Sequence, residues 1–459
     1  MEKKINRRNF ITTSALAGAG LSVPISASAS GEAPSFLQRK DDRKVNIGVI
    51  GLGERGTGLT GLLLRRDDCN VVALCDIHAP SLQRAKDMVI KAGQKAPKTF
   101  GDGEEAFRQM LELSDIDAVL IATPWTWHVP MAVAAMRAGK FAATEVCGAT
   151  DIQECWDLVN AYEETGVPCM FLENVCYRRD VMAILNMVRK GMFGEMIHLE
   201  GGYQHDLRHV KFNDGKTPYG SGVEFGETGF SESKWRTNHS VYRDGDLYPT
   251  HGVGPIAMYT NINRGNRFMH LTSTSSKAKG LHDYVVNHPK GGKDHPNANV
   301  EFKLGDVTTT VIKTFKGESI ILSHDTNLPR PYSLGFRVQG SKGIWMAVNK
   351  SLYLEGVSPN PHRWEDAKSY LEKYDHPLWK KHEAEAAGAG HGGMDFFVIN
   401  DFVESVKNKK NPPIDVYDAA SWMAITCLSE QSIATGSQPM NFPDFTRGKW
   451  MKRKPNFAM

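Results

Sequence analysis

The sequence predicts an α/β protein in two parts: an N-terminal Rossmann-type doubly wound parallel sheet, then a C-terminal α/β domain with an open, mostly antiparallel sheet. Three observations predict it. Val45 to Ile50 is a continuous apolar run of strand length, followed by Gly51-x-Gly53-x-x-Gly56 and an amphipathic stretch through Leu59, Leu62, Leu63 and Leu64. Apolar strand-like runs then alternate with helical patterns as far as Leu172, which specifies parallel strands with helices on both faces. After about Tyr177, β-rich runs are separated by long polar and Gly-rich loops, as expected of a sheet with one packed and one open face.

The chain has 459 residues, too many for one compact core. Its 41% hydrophobic and 23% charged content indicates neither disorder nor a membrane bundle. Lys3, Lys4, Arg7 and Arg8 against Glu2 account for the whole formal charge of +3, so the remainder carries no basic field for nucleic acid. Asn6-Arg7-Arg8-Asn9-Phe10-Ile11 reads as a twin-arginine leader. A short apolar run broken by Pro24 follows, then Ala27-Ser28-Ala29 as a cleavage site, so a spanning helix is not expected. The expected organisation is a leader over 1–29, a polar linker over 30–44, a dinucleotide domain over 45–174 and a substrate domain over 175–459. The seven cysteines show no CxxC spacing and read as buried thiols.

The glycine turn sits between strand and helix, where a pyrophosphate meets unpaired N–H groups and the positive end of the helix dipole. The next strand, Asn70 to Cys75, ends at Asp76, twenty residues beyond Gly56. An acid there accepts from ribose hydroxyls and repels a 2′-phosphate, which favours NAD over NADP. Helices are expected over Ser81 to Ala92, Gly103 to Leu113, Val129 to Ala138 and Ile152 to Thr165. Strands are expected over Ala118 to Ala122, Phe141 to Glu145 and Cys169 to Leu172.

Ligands in such sheets bind beyond the carboxyl ends of strands. Three of those ends carry unusual residues: Thr123-Pro124-Trp125-Thr126-Trp127-His128, Glu145-Val146 and Glu173-Asn174. The two tryptophans suit a flat ring such as nicotinamide or a sugar, or alternatively staple the helix that follows. His128 could equally cap that helix.

In the second domain, strands are expected over Met196 to Tyr203, Asp306 to Thr314, Ser319 to Ser323 and Gly335 to Gln339. Helices are expected over Pro255 to Asn261, Met394 to Lys407 and Ala419 to Thr435, the last two packing back on the first domain. Four motifs gather histidine, tyrosine and arginine: Gly201-Gly202-Tyr203-Gln204-His205-Asp206, Trp235-Arg236-Thr237, Tyr248-Pro249-Thr250-His251-Gly252 and Arg330-Pro331-Tyr332. Histidine and tyrosine can move a proton on and off a hydroxyl, and arginine can hold a polar or acyl group. His251 is the expected acid/base, against a structural histidine tying its loop; His205 is a second candidate, and Tyr332 could be a packed aromatic. His362, His376, His382 and His391 read as surface residues, and HExxH and similar metal spacings are absent.

The glycine fingerprint, Asp76, Thr123-Pro124 before a helix and Glu145 at a strand end resemble the Gfo/Idh/MocA oxidoreductases. Within these, GGYQHDLR, WRT and YPTHG make the chain most similar to glycosyl hydrolase family 109, the NAD-dependent α-N-acetylgalactosaminidases. The resemblance implies NAD contacts from Glu54, Arg55, Asp76, Trp125, Thr126, Trp127, His128, Glu145, Val146 and Asn174. It implies substrate contacts from Tyr203, Arg236, Tyr248, Pro249, Thr250, His251 and Tyr332, a glycan bearing N-acetylgalactosamine as partner, and pairing of open sheet faces between subunits. Two positions depart from the larger family: Glu145-Val146-Cys147 stands where those enzymes carry Glu-Lys-Pro, and Leu247 where they carry an Asp. Both departures count against a standard sugar dehydrogenase and leave Tyr248 and His251 to handle the proton.

Export and cofactor choice constrain each other. A periplasmic or cell-surface enzyme has no NAD pool to exchange with, so the electrons taken from the substrate must return to it or to a second sugar. A hydrolase satisfies this by oxidising C3, eliminating the C1 substituent, adding water and reducing C3 again, without the paired carboxylates of ordinary glycosidases. An exported sugar oxidoreductase recycling its cofactor between two sugars satisfies it too. A silent sugar-binding protein that keeps NAD for structure is the third reading.

Overall fold

The computed structural model describes residues 43–459; the expected leader, and all but the end of the linker, lie outside the described residues. The first sheet has six parallel strands: β1 (Val45–Ile50), β2 (Cys69–Cys75), β3 (Lys98–Phe100), β4 (Ala118–Ile121), β5 (Phe141–Thr144) and β6 (Cys169–Phe171), in the order β3-β2-β1-β4-β5-β6. All four residues of β4 and of β5 are buried, as expected when helices cover both faces. The covering helices are α1 (Glu54–Leu63), α2 (Ala79–Lys91), α3 (Ala106–Leu111), α4 (Trp125–Arg137) and α5 (Ile152–Thr165). The order reverses between β1 and β4, which opens a crevice at their carboxyl ends.

Glycine shapes that crevice. Gly51 has φ +85, and a Cβ on Gly56 would stand 1.9 Å from the Gly51 carbonyl oxygen, so both positions are closed to other residues. A Cβ on Gly53 would meet nothing within 4 Å, because that backbone faces the open crevice.

The polypeptide then passes through α6 (Arg179–Arg189) into the second sheet, whose connections carry the short helices α7 (Arg208–Lys211), α8 (Arg236–Tyr242), α10 (Gly280–Asn287) and α11 (Lys368–Lys373). Its strands are β7 (Met196–Gln204), β8 (Phe268–Ser275), β9 (Val307–Thr314), β10 (Ser319–Asp325), β11 (Arg337–Gly340), β12 (Gly343–Met346), β13 (Ser351–Leu354), β14 (Glu365–Asp366) and β15 (Met440–Asn441). The order is β14-β13-β12-β11-β7-β10-β9-β8-β15, antiparallel except for the β7–β10 pair. One face is covered by α9 (Thr250–Tyr259) and by α14 (Val416–Ala434), which also lies against α5. α13 (Met394–Lys407) packs on α1, so the last helices do return to the first domain. The joint is apolar: Phe171, Trp422 and Phe402 are fully buried within it, each contributing roughly 1.5–3 kcal/mol.

The architecture matches the expected class, with three local differences. α4 begins at Trp125, so the Trp-Thr-Trp-His stretch is its first turn and not a loop, led in by an extended Pro124. α9 begins at Thr250 and carries Pro255 inside it, so His251 lies in a helical first turn. Packing decides this: a Cβ on Gly252 would stand 2.4 Å from the Gly202 nitrogen, so glycine against glycine seats this turn on β7. β3 is a three-residue edge strand too short to show a periodicity.

Candidate active site

A cleft of about 730 Å³ lies between the carboxyl ends of the parallel strands and the second domain. One half of its lining is the glycine turn with Gly51, Gly53, Glu54 and Arg55, and the strand ends with Asp76, Thr123, Trp125, His128, Glu145, Val146 and Asn174. The other half brings Tyr203, Trp235, Arg236, Tyr248 and His251.

In the first half, the Asp76 carboxylate accepts from the backbone N–H groups of Leu52 (2.6 Å) and His78 (2.7 Å), which fixes the acid at the mouth of the glycine turn. Gly53 caps α1 without a side-chain hydrogen bond, leaving that helix end to an anion. The buried Thr123 Oγ1 and Asn174 Oδ1 have no partner within the described residues. A glycine cradle, a carboxylate at the end of β2 and two unpartnered polar atoms fit a dinucleotide. His128 holds the floor, its ring nitrogens each 2.7 Å from a carbonyl, of Cys147 and of Thr123.

Arg55 ties this half to the C-terminal helices. It donates to Glu145 (2.7 Å) and to Asp395 (2.7 and 3.1 Å), while Asp395 also accepts from Asn174 Nδ2 (2.8 Å) and stands 2.7 Å from His391 Nδ1. Burial by itself would raise the Asp395 carboxyl, but His391 and Arg55 outweigh it and hold it well below the carboxylate range. The sequence reading put His391 on the surface; its ring is exposed, yet it lines the cleft, because the Gly388–Gly393 turn folds it over Asp395. His376, also expected on the surface, is buried as the N-cap of α12 (Pro377–Ala386), and His382, part-buried, packs on Phe396.

In the second half, aromatic and cationic groups stack. The rings of Tyr203 and Tyr248 stack with centroids 4.6 Å apart and planes inclined by 30°, and His251 stands edge-on to both. Arg236 lies over Trp125 (5.0 Å) and Tyr248 (5.4 Å) and pairs with Glu232 at 2.8 Å. Burial disfavours its charge, but Glu232 is the chief of several groups that together offset burial, so Arg236 stays cationic. Burial pushes both phenols upward, so Tyr203 and Tyr248 stay protonated. His251 Nδ1 stands 2.7 Å from Glu173 Oε1, which leaves its other ring nitrogen for the cleft. By sequence Glu173 stands out only as a strand-end residue; its pairing depends on α9 packing against the Asn174–Tyr177 turn that follows β6, a contact invisible in sequence.

Not every expected residue reaches the cleft. Thr126 is exposed, and Trp127 stands edge-on to Phe107 in the staple arrangement; neither lines the cleft. Pro249 caps α9, and Thr250 is buried beside Cys147. Tyr332 stands half-exposed at the rim, 4.9 Å from the ring of His205, whose Nδ1 is 3.2 Å from the Tyr203 hydroxyl. All seven cysteines are free and buried.

A switch-point crevice with this glycine turn, joined to an open-sheet domain, defines an NAD-binding enzyme of the Gfo/Idh/MocA type. Residues 45–172 match the oxidoreductase family with NAD-binding Rossmann fold, and residues 177–452 match the glycosyl hydrolase 109 C-terminal domain. A glycosyl hydrolase family 109 protein of Stenotrophomonas maltophilia is 55% identical, covering 99% of this chain and 98% of its own. An α-N-acetylgalactosaminidase of Tannerella forsythia is 49% identical over 99% of each. Levoglucosan dehydrogenase in complex with NADH and levoglucosan shares the fold (TM-score 0.63, 17% identity, 87% of this chain and 100% of that one). So does scyllo-inositol dehydrogenase from Lactobacillus casei with bound NAD(H) and scyllo-inositol (TM-score 0.59, 14% identity, 87% and 99%). The chain belongs to glycosyl hydrolase family 109 and is a glycoside hydrolase that uses NAD.

Proposed function

We propose that the enzyme removes terminal α-linked N-acetylgalactosamine by elimination and rehydration, with retention and no net redox change. The observation that carries this reading is that a His251–Glu173 pair and two stacked tyrosines share one cleft with the dinucleotide residues. Gly53 would receive the pyrophosphate, Asp76 the ribose, and Trp125, His128, Glu145, Val146 and Asn174 the nicotinamide end. NAD held there would supply reversible two-electron chemistry at the C3 carbon of the sugar.

The residues of the chain manage protons and orientation. A carbonyl at C3 acidifies the C2 proton; His251, held in one orientation by Glu173, is the base for it. Tyr248, protonated beside it, can act as a relay at the C3 oxygen, passing its own proton on as it takes the hydroxyl proton and reversing this on reduction. Arg236 and Tyr203 orient the sugar and its N-acetyl group, and Tyr332 closes the rim. Elimination also needs an acid for the departing oxygen, and His391, backed by Asp395, is a second imidazole at the cleft. The T. forsythia relative supports the choice of sugar. A twin-arginine leader, and with it a periplasmic or cell-surface place, belongs to the same reading, since a cycle that restores its own cofactor needs no external NAD. Among the described residues no helix is long and apolar enough to cross a membrane.

The test uses purified protein without added cofactor, given p-nitrophenyl α-N-acetylgalactosaminide in deuterated water. Nitrophenol release with deuterium at sugar C2 is the expected result. Release without deuterium would overturn the eliminative route, and a reduced-cofactor absorbance without release would favour an oxidoreductase working on two sugars.

A further inference from the structure

The aromatic surface does not stop at the cleft. From Tyr203 a chain of rings runs outward: His205 lies 5.7 Å from Tyr203, His209 lies 6.4 Å from His205, and Tyr219 lies 6.2 Å from His209. Exposure rises along it, from 8% at Tyr203 to 48% at Tyr219. Tyr219 follows Pro218, a cleft-lining residue, and feels the charges of Glu232 and Glu54, which line the cleft from opposite domains. It therefore stands at the cleft mouth.

This outer end is built rigidly. The Gly220 N–H donates to the His209 carbonyl (2.6 Å). The buried Asn213 side chain donates to the carbonyls of Pro218 (3.3 Å) and Phe230 (2.7 Å) and accepts from Gly215 N–H (3.0 Å). A half-exposed tyrosine on such a braced loop is an apolar surface presented to solvent with its ordering cost already met by the fold.

We propose that Tyr219 and His209 form an outer sugar subsite, stacking on the second hexopyranose of the glycan and placing the bond to be cut over Tyr203 and His251. This rests on the glycosidase reading above and deepens it by naming the residues that would select for the unit beyond the terminal sugar. A pyranose has an apolar C–H face that matches an aromatic ring and hydroxyls that stay in water, and the half-open mouth meets both needs.

The test compares methyl α-N-acetylgalactosaminide with a disaccharide carrying the same sugar on a second hexopyranose, for the unaltered enzyme, Tyr219→Ala, Tyr219→Phe and His209→Ala. For Tyr219→Ala, kcat/KM on the disaccharide should fall about five- to tenfold, mostly through KM, with the methyl glycoside unchanged. Tyr219→Phe should restore the disaccharide rate, and His209→Ala should show a smaller selective loss. Equal losses on both substrates, or no loss on either, would overturn the outer subsite and leave the glycosidase reading intact. If the unaltered enzyme cleaves neither glycoside, that reading fails and the subsite falls with it.

Discussion

His251 Nδ1 lies 2.7 Å from Glu173 Oε1, and Glu173 is wholly inaccessible to solvent. The carboxylate also accepts from the Val175 N–H (3.0 Å), so it cannot swing away from the imidazole. Replacing Glu173 with Gln keeps the shape but offers His251 an ambiguous partner, and kcat should fall by about 10²- to 10⁴-fold. His251→Ala should abolish turnover while NAD stays bound. Steady-state rates together with the cofactor absorbance of the purified variants check both outcomes.

The Arg55–Asp395 pair joins α1 to α13 beside the dinucleotide residues. Asp395→Asn should weaken cofactor retention and lower stability by about 1–3 kcal/mol, a buried-pair loss reduced for the partial exposure of Arg55. Because the folded-state pKa is depressed, the pair stabilises fully above the ordinary carboxylate pKa of about 4, and this is lost as pH falls further. The Tm difference between the unaltered protein and the variant should therefore be constant above about pH 5 and shrink in more acid solution.

Two buried groups under the substrate domain give opposite pH slopes. Burial pushes the Asp246 carboxyl up to about 7 and pulls the Lys211 ammonium down to about 7. Asp246 stays protonated where an unfolded Asp has ionised, so its contribution falls as pH rises from about 4 to 7, by at most roughly 1.4 kcal/mol per unit. Burying Lys211 costs most below about pH 7, and the cost is relieved as pH rises toward the unfolded value of about 10.5, so stability should rise from pH 7 to about 10.5. Denaturant titrations at a series of pH values should show the first slope flattened in Asp246→Asn and the second in Lys211→Met.

Arg236 is held between aromatic faces, and its buried Nε has no partner within the described residues. A lysine would keep the charge and lose both the planar stacking and the fork. Arg236→Lys should raise KM about tenfold with a smaller change in kcat, read from initial rates over a range of substrate concentrations.

Much of the fold was written locally. The apolar run Val45 to Ile50, the three glycines and Asp76 carry strong short-range signals, and α5 and α13 appear with the bounds their periodicity predicts. So do the motifs that deliver Tyr203, Arg236, Tyr248 and His251, all of which line one cleft. The expected helix starts at Val129 and Pro255 were late by about a turn. Sequence periodicity could not see α4 leaving its strand directly at Pro124, or Gly252 locking onto Gly202.

By itself, then, the sequence determined the two-domain α/β class, the dinucleotide turn and the polar residue types of the pocket, because each depends on neighbours a few positions apart. Only the tertiary structure decided the partners: Glu173 for His251, Asp395 for Arg55 and His391, and the ring path from Tyr203 to Tyr219. Those pairs join residues far apart in sequence, and nothing in local propensity records which strand end will face which helix once the two sheets have packed.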